Sequence, residues 1–390
     1  MSTGTAARPD GLGGFRRRNG SVGVRNHVLV MPVRSAANVA ASRIADGVAG
    51  AVAVAQESER PDAFDTERIR RTLIGFCSNP NVGAVLVVGV TAHDAWLADA
   101  LRDRGQEVMF VALAEHRGTA NTTDVGRTIA GGLRESVLAD RRVEISPADL
   151  VLGLECGGSD ALSGITANPA LGVASDMLVA AGGTSLLAET PELIGAEEAL
   201  AARAVSPEVA RRVREVILGF EGAVRDLGVD VRGAQPTPGN QAGGLTTIEE
   251  KALGSAKKGG NAPVSGVVDI GERPRSTGLH IMDTPGHDIE QMVGMVAGGA
   301  QVVAFTTGRG TPTGSPIAPC VKISTNTAIF ERLAGDIDID AGAILGGTET
   351  VASMGALIYA RILAVAGGEL TASERHHNRE FALSYVTYSA

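Results

Sequence analysis

From one end to the other, the chain alternates short continuous apolar runs with stretches of helical spacing. "HVLVMPV", "AVLVVGV", "EVMFVAL" and "QVVAF" are runs of strand length with no polar face. A strand apolar on both sides must be covered on both sides, which is the condition of a parallel sheet lined by helices. Helical spacing follows the runs: in "DTERIRRTLIGF", Ile69, Leu73 and Phe76 share one face, and "HDAWLADALRDRG" ends on its glycine. The fold class predicted is α/β, in two packed regions with mostly parallel, helix-covered sheets. A chain of 390 residues exceeds one ordinary core. The expected division is a flexible tail over 1–14, a first α/β domain over 15–145 and a second over 146–390. The second carries a long Gly/Pro-rich loop at 232–262, expected to be mobile or ordered by substrate.

Composition narrows the function classes. Aromatic residues are only 3% against 51 glycines, and the net charge of -9 opposes nucleic-acid binding. Cys77, Cys156 and Cys320 are too far apart in sequence for a disulfide scaffold. The first residues lack the apolar run of a signal peptide, and no run reaches membrane-spanning length. A cytoplasmic protein is expected, with no membrane and no nucleic-acid partner.

The chemistry gathers where strands end. Four ends are polar: "ECGGSD" after "LVLGL", "DTPGHD" after "GLHIM", "TTGRG" after "QVVAF" and "STN" after "CVKI". In open α/β sheets ligands bind beyond the carboxyl ends of the strands. Glycine there lets backbone N–H groups approach an anion, and a guanidinium can grip a carboxylate with two bonds. Three of the four segments are expected to converge on one cleft. Arg309 with Thr306 and Thr307 is the candidate carboxylate clamp, with Ser159, Asn168 and Lys322 as further substrate contacts. Asp160 or Lys251 is the candidate base, Asp283 or His287 the candidate acid, and Cys156 the candidate metal ligand. Each has a plainer alternative: a capping or surface role for His287, a packed thiol for Cys156, a solvated arginine for Arg309. Lys251, Lys257 and Lys258 read as solvated, although Lys251 follows "GGLTTIEE" within the unusual loop. No G-x-G-x-x-G follows the first strand, and neither the phosphate-binding lysine loop nor the G-x-S-x-G elbow occurs.

Longer motifs carry a resemblance. "GLECGGSDALSGITANPALG", "PTPGNQAGGLTTIEEKALGSAKKGG", "MDTPGHD", "VAGGAQVVAFTTGRGTPTG" and "KISTNTAIFERLAGDIDIDAG" resemble the altronate and galactarate dehydratase family from about Gly14 to Gly368. That resemblance implies a lyase: β-elimination of water from a hydroxylated carboxylic acid such as a sugar acid, with a divalent metal, iron. A related lyase, the large subunit of sulfolactate sulfo-lyase, eliminates sulfite. The alternatives are therefore a sulfite- or amine-eliminating subunit, or a non-catalytic sugar-acid-binding homologue without its metal site. Where the family usually carries a His and "GCG", this chain reads "AVAVAQESERPDAF"; where it carries "GLGCE", "VVGVTAHD" stands. Of the family's cysteine positions Cys156 alone remains. The small β domain that opens many members has no room in 14 residues, so a separate small β-domain subunit is the implied partner, alongside a homo-oligomer.

Overall fold

The computed structural model describes residues 12–57 and 63–384. In the first region the strands are β1 (Gly13–Arg16), β2 (Val22–Gly23), β3 (His27–Pro32), β4 (Ala51–Ala53), β5 (Val82–Gly89), β6 (Glu107–Ala112) and β7 (Val143–Glu144). In the second they are β8 (Val151–Gly157), β9 (Thr184–Leu187), β10 (Val264–Asp269), β11 (Gly278–Asp283), β12 (Val302–Thr307), β13 (Cys320–Ser324) and β14 (Ile339–Asp340). Two sheets are parallel throughout, in the orders β4-β3-β5-β6 and β10-β11-β9-β8-β12-β13-β14. The expected helix-covered parallel architecture is therefore present.

Three local readings differ. Strands β2, β1 and β7 pair antiparallel in a small third sheet, too short to show as apolar runs. Gly13 and Gly14, expected in the flexible tail, are strand residues there, while 1–11 fall outside the described residues. The stretch 232–262 is largely helical: Val231–Ala234, Pro238–Ala242, Ile248–Ala256 and the single turn Lys257–Gly259. Thr237 and Thr247 cap two of these helices by accepting from the N–H groups of Asn240 and Glu250. Among the described residues no helix is long and apolar enough to cross a membrane.

Alternation along β8 decides what each face meets. Leu152 and Leu154 point into a core shared with helices Ala167–Ala180 and Val351–Ala366. Phe305 and Val303 on neighbouring β12 point into the opposite core. That second core also contains Leu73 and Phe76 of helix Ala63–Cys77 and Met295 of helix Asp288–Ala297, so it joins the two regions. Gly75 allows the two helices to approach: a Cβ there would stand 2.6 Å from the Ala297 carbonyl oxygen.

Two buried asparagines complete the junction. Asn79 donates to the carbonyls of Val296 (2.7 Å) and Ala300 (2.9 Å). Asn81 donates to Gln301 O (2.9 Å) and Ile317 O (3.0 Å) and accepts from the Val24 N–H at 2.8 Å. These main-chain groups have no water to turn to, so each one stranded costs about 1–3 kcal/mol. Asn81→Ala should accordingly lower unfolding stability by at least about 2 kcal/mol, read from the urea midpoint. An unchanged midpoint would mean the junction does not depend on this side chain.

Candidate active site

The large sheet reverses its winding beside β8: the chain runs from β8 to β9 and β11 on one side, then returns to β12 and β13 on the other. A crevice outside the strand ends is expected at such a point, and the buried polar residues are concentrated there. Cys156 is the penultimate residue of β8. Gly157 follows because nothing larger fits; a Cβ would lie 2.1 Å from an Asp288 carboxylate oxygen and 2.6 Å from the Phe305 ring.

Across from Cys156 stands Glu189, just after β9, with a left-handed backbone (φ 76°). Such a conformation costs a non-glycine residue of order 1–3 kcal/mol and tends to mark functional positions. It is held by Thr284, whose hydroxyl accepts from the Glu189 N–H at 2.8 Å. The Glu189 carboxylate is filled. Oε1 accepts from the Cys156 N–H (3.1 Å); Oε2 accepts from Ser255 Oγ (3.0 Å), Cys156 Sγ (3.2 Å) and the Lys258 ammonium. Lys258 is fully buried, as is Glu189. A second pair lies beside the first: Lys251 Nζ is 2.7 Å from Glu192 Oε1 and also donates to Asn240 Oδ1 at 3.0 Å.

Burial, then the charges of Glu189 and Asp288, push the Glu155 carboxyl well above the usual range. Among the described residues, neither Glu155 oxygen has a hydrogen-bond partner. A buried carboxyl without a donor favours its neutral form, in keeping with that upward shift. Burial opposes the Glu189 charge, but Lys258 outweighs it and holds that carboxyl low. Burial and then Glu189 raise Glu192. Burial opposes the Lys251 charge too, and Glu192 overcomes it, keeping the amine protonated to higher pH. The Cys156 thiol is pushed up, first by burial.

A cavity of about 250 Å³ opens beside this cluster, with Ser159, Asn168, Lys251, Ser255 and Lys257 on its wall. A larger hollow of about 520 Å³ lies in the first region, near Asn38, Arg43 and Arg379. The smaller cavity has the paired Lys251–Glu192 and Lys258–Glu189 groups directly behind its wall, which makes it the candidate site.

The residues singled out in the sequence divide by location. Cys156, Ser159, Asn168 and Lys251 come together at the cavity or directly behind it. Thr306 donates to Asn168 Oδ1 at 2.6 Å, and Asn168 in turn donates to the Gly254 carbonyl. Asp160 also reaches the wall, but its oxygens accept from Ser163 N and Oγ, Thr325 Oγ1 and Asn326 Nδ2, which makes it the anchor of the "GGSD" turn. Thr307 Oγ1 accepts from the N–H groups of Gly310 and Thr311 and so caps the "TTGRG" turn. Arg309 is exposed, lying against Gly158 and Gly239 and outside the cavity wall. Asp283 accepts from Thr190 Oγ1 at 2.8 Å, and the His287 side chain is 60% exposed. Lys322 is buried on the other face of the sheet, its Nζ 3.3 Å from the Phe305 ring centroid.

Sequence reasoning missed Glu189, Glu192, Ser255 and Lys258. The reading of Lys251 and Lys258 as solvated is corrected: both are buried, and only Lys257 is exposed. A signal existed for Ser255 and for the burial of Lys251. Ile248, Lys251, Ala252, Ser255 and Ala256 form one buried stripe at helical spacing, with an ammonium and a hydroxyl in it.

Cys156, Glu189 and Glu192 each offer an atom that lies within 4.8 Å of the others, a donor set of the kind that holds metal ions. Both carboxylates are at the same time contacted by lysine ammonium groups.

Comparison with known proteins finds two family models along the chain. Residues 147–389 match the C-terminal domain of D-galactarate/altronate dehydratase, and residues 14–137 match the second domain of D-galactarate dehydratase/altronate hydrolase. The chain is similar to altronate dehydratase of Bacillus subtilis, 34% identical over 95% of this chain and 76% of the relative. It is similar to the beta subunit of (2R)-sulfolactate sulfo-lyase of Chromohalobacter salexigens, 36% identical over 97% of this chain and 98% of the relative. Galactarate dehydratase (L-threo-forming) of Escherichia coli is 42% identical over 60% of this chain, which spans 44% of that relative.

The Lys258–Glu189 pair generates a stability test. Lys258→Met leaves Glu189 buried without its cation, which should cost about 3–5 kcal/mol in denaturant unfolding. Lys258→Met/Glu189→Met should recover much of that loss. A single variant as stable as the wild type would show that the pair does not hold the site together.

Proposed function

Because the chain belongs to the D-galactarate/altronate dehydratase family of hydro-lyases, we propose that it eliminates water from a sugar acid bound in the cavity beside Lys251. The observation that carries this reading is one lysine on the cavity wall in 2.7 Å contact with a carboxylate behind it. β-Elimination from a hydroxy acid needs a base for the proton next to the carboxylate and an acid for the departing hydroxyl. It also needs positive charge where the enolate forms. Lys251 and Glu192 together supply the first two.

Transfer of a proton from Lys251 to Glu192 leaves a neutral amine at the wall; the raised proton affinity of Glu192 works toward that exchange and the raised proton affinity of Lys251 against it, so the neutral amine is the minor form that reacts. The amine takes the α-proton, the C–H electron pair becomes the C=C bond, and the β C–O bond breaks. The new Lys251 ammonium returns its proton to the leaving hydroxyl, so water departs, and Glu192 hands back its own proton. The enol product tautomerises to a 2-keto acid. Lys257 at the rim, with Ser159 and Asn168, binds the carboxylate, and the charge of Lys258 behind Ser255 favours the enolate. Of the two candidate bases, Asp160 is spent on four hydrogen bonds, which favours Lys251.

The test is turnover of D-altronate and D-galactarate, followed as 2-keto acid formed. Lys251→Met, still folded, should lose roughly 10²–10⁴-fold in kcat. An unchanged kcat in that variant would remove Lys251 from the chemistry.

A second reading changes the leaving group. The chain is 36% identical to a relative named as the beta subunit of a (2R)-sulfolactate sulfo-lyase, and that name supports a lyase that works with a second, small subunit. In that case (2R)-sulfolactate should release sulfite when a small partner protein is added, and the sugar acids should give no product.

A further inference from the structure

We infer that Lys251 and Lys258 take the place of a divalent metal ion in this site, so that the thiol and two carboxylates of the Cys156 cluster hold no metal in the working protein. The donor types alone suit a metal: one sulfur and two carboxylates, all within 4.8 Å of one another. The hydrogen bonds do not. Glu189 uses both oxygens on donors from Cys156, Ser255 and Lys258. Glu192 Oε1 is bonded to Lys251, and its other oxygen faces the Cys156 sulfur at 3.7 Å. A metal ion reaching these three residues would have to displace an ammonium group or sit beside two of them.

Neither ammonium is free to withdraw. The Lys258 side chain has no exposed surface, and Lys251 is 7% exposed and tied also to Gln235 and Asn240. Their backbone is fixed as well. The turn Lys257–Gly259 packs so closely on helix Ala167–Ala180 that a Cβ at Gly172 would stand 2.2 Å from the Lys257 carbonyl oxygen. The cluster therefore pairs two buried cations with two carboxylates and needs no further positive charge. For the elimination proposed above, on which this part of the inference rests, the consequence is direct. The charge that stabilises the enolate comes from ammonium groups, and chelators leave turnover unchanged.

Metal binding tests the inference without reference to turnover. The purified full-length chain is dialysed separately against Fe(II) under anaerobic conditions, Mn(II) and Zn(II), and the retained metal is measured by elemental analysis. The expected result is no retained ion and no shift in melting temperature at saturating metal. Lys258→Met, which removes one competing cation, should gain one ion per chain and a higher melting temperature with Zn(II) or Fe(II). Lys258→Met/Cys156→Ser should lose both, because a hydroxyl replaces a soft thiolate poorly. One ion per wild-type chain, lost in Cys156→Ser, would overturn the inference. So would a folded Lys258→Met variant that gains no metal, since the ammonium would then not be what excludes it. If Lys258→Met does not fold, the wild-type measurement decides alone. Absence of turnover on every acid tried would count against the lyase reading and leave the metal result standing.

Discussion

The contact between the Lys258 ammonium and the Glu189 carboxylate organises the end of the large sheet. Both side chains are out of reach of water, where each alone would be costly and where the pair survives only with its remaining hydrogen bonds made. Those bonds define the site. They bring the Cys156 N–H at the end of β8, the Ser255 hydroxyl on the cavity wall and the Cys156 thiol to one carboxylate. Glu189 meets all of them because its backbone is left-handed, a conformation fixed by the Thr284 hydroxyl from the end of β11. Three strand ends and the helical segment 231–259 are thereby tied to one group.

The scaffold explains why that group sits where it does. Parallel strands deliver their carboxyl ends to one side of the sheet, and the reversal beside β8 opens a crevice between neighbouring loops. Helix Ile248–Ala256 closes the crevice with a stripe that is apolar except for Lys251 and Ser255. The first region meets the opposite face of the sheet, through the core around Phe76, Met295 and Phe305 and through Asn79 and Asn81. On that face Lys322 is buried against the Phe305 ring, away from the cavity.

Much of the fold was legible because its signal is local. A run such as "AVLVVGV" has only one comfortable environment, and β5 occupies it at Val82–Gly89. Polar strand ends pointed to the edge of the sheet that carries the cavity, and Cys156, Ser159, Asn168 and Lys251 lie at it or directly behind it. The roles of Asp160 and Thr307 were harder to read, since a carboxylate or hydroxyl in a glycine-rich turn looks the same whether it meets substrate or caps the backbone. Lys258 was hidden by its neighbours: "SAKKGG" reads as a solvated turn, and only its packing on Gly172 buries one of the two lysines. Glu189 was hidden because nothing in "LLAETPEL" encodes a left-handed glutamate. Strands β1, β2 and β7 were too short to register as a pattern at all.

Under the proposed function, substrate meets Lys251 in the cavity bounded by Ser159 and Ser255. A crystal structure of the Lys251→Met protein soaked with D-altronate or D-galactarate addresses this directly, because the variant should bind the acid without consuming it. The acid should lie in that cavity, its carboxylate near Lys257, Ser159 and Asn168 and its α-carbon facing residue 251. Density for the acid in the hollow near Asn38, Arg43 and Arg379, with the cavity beside residue 251 empty, would contradict it.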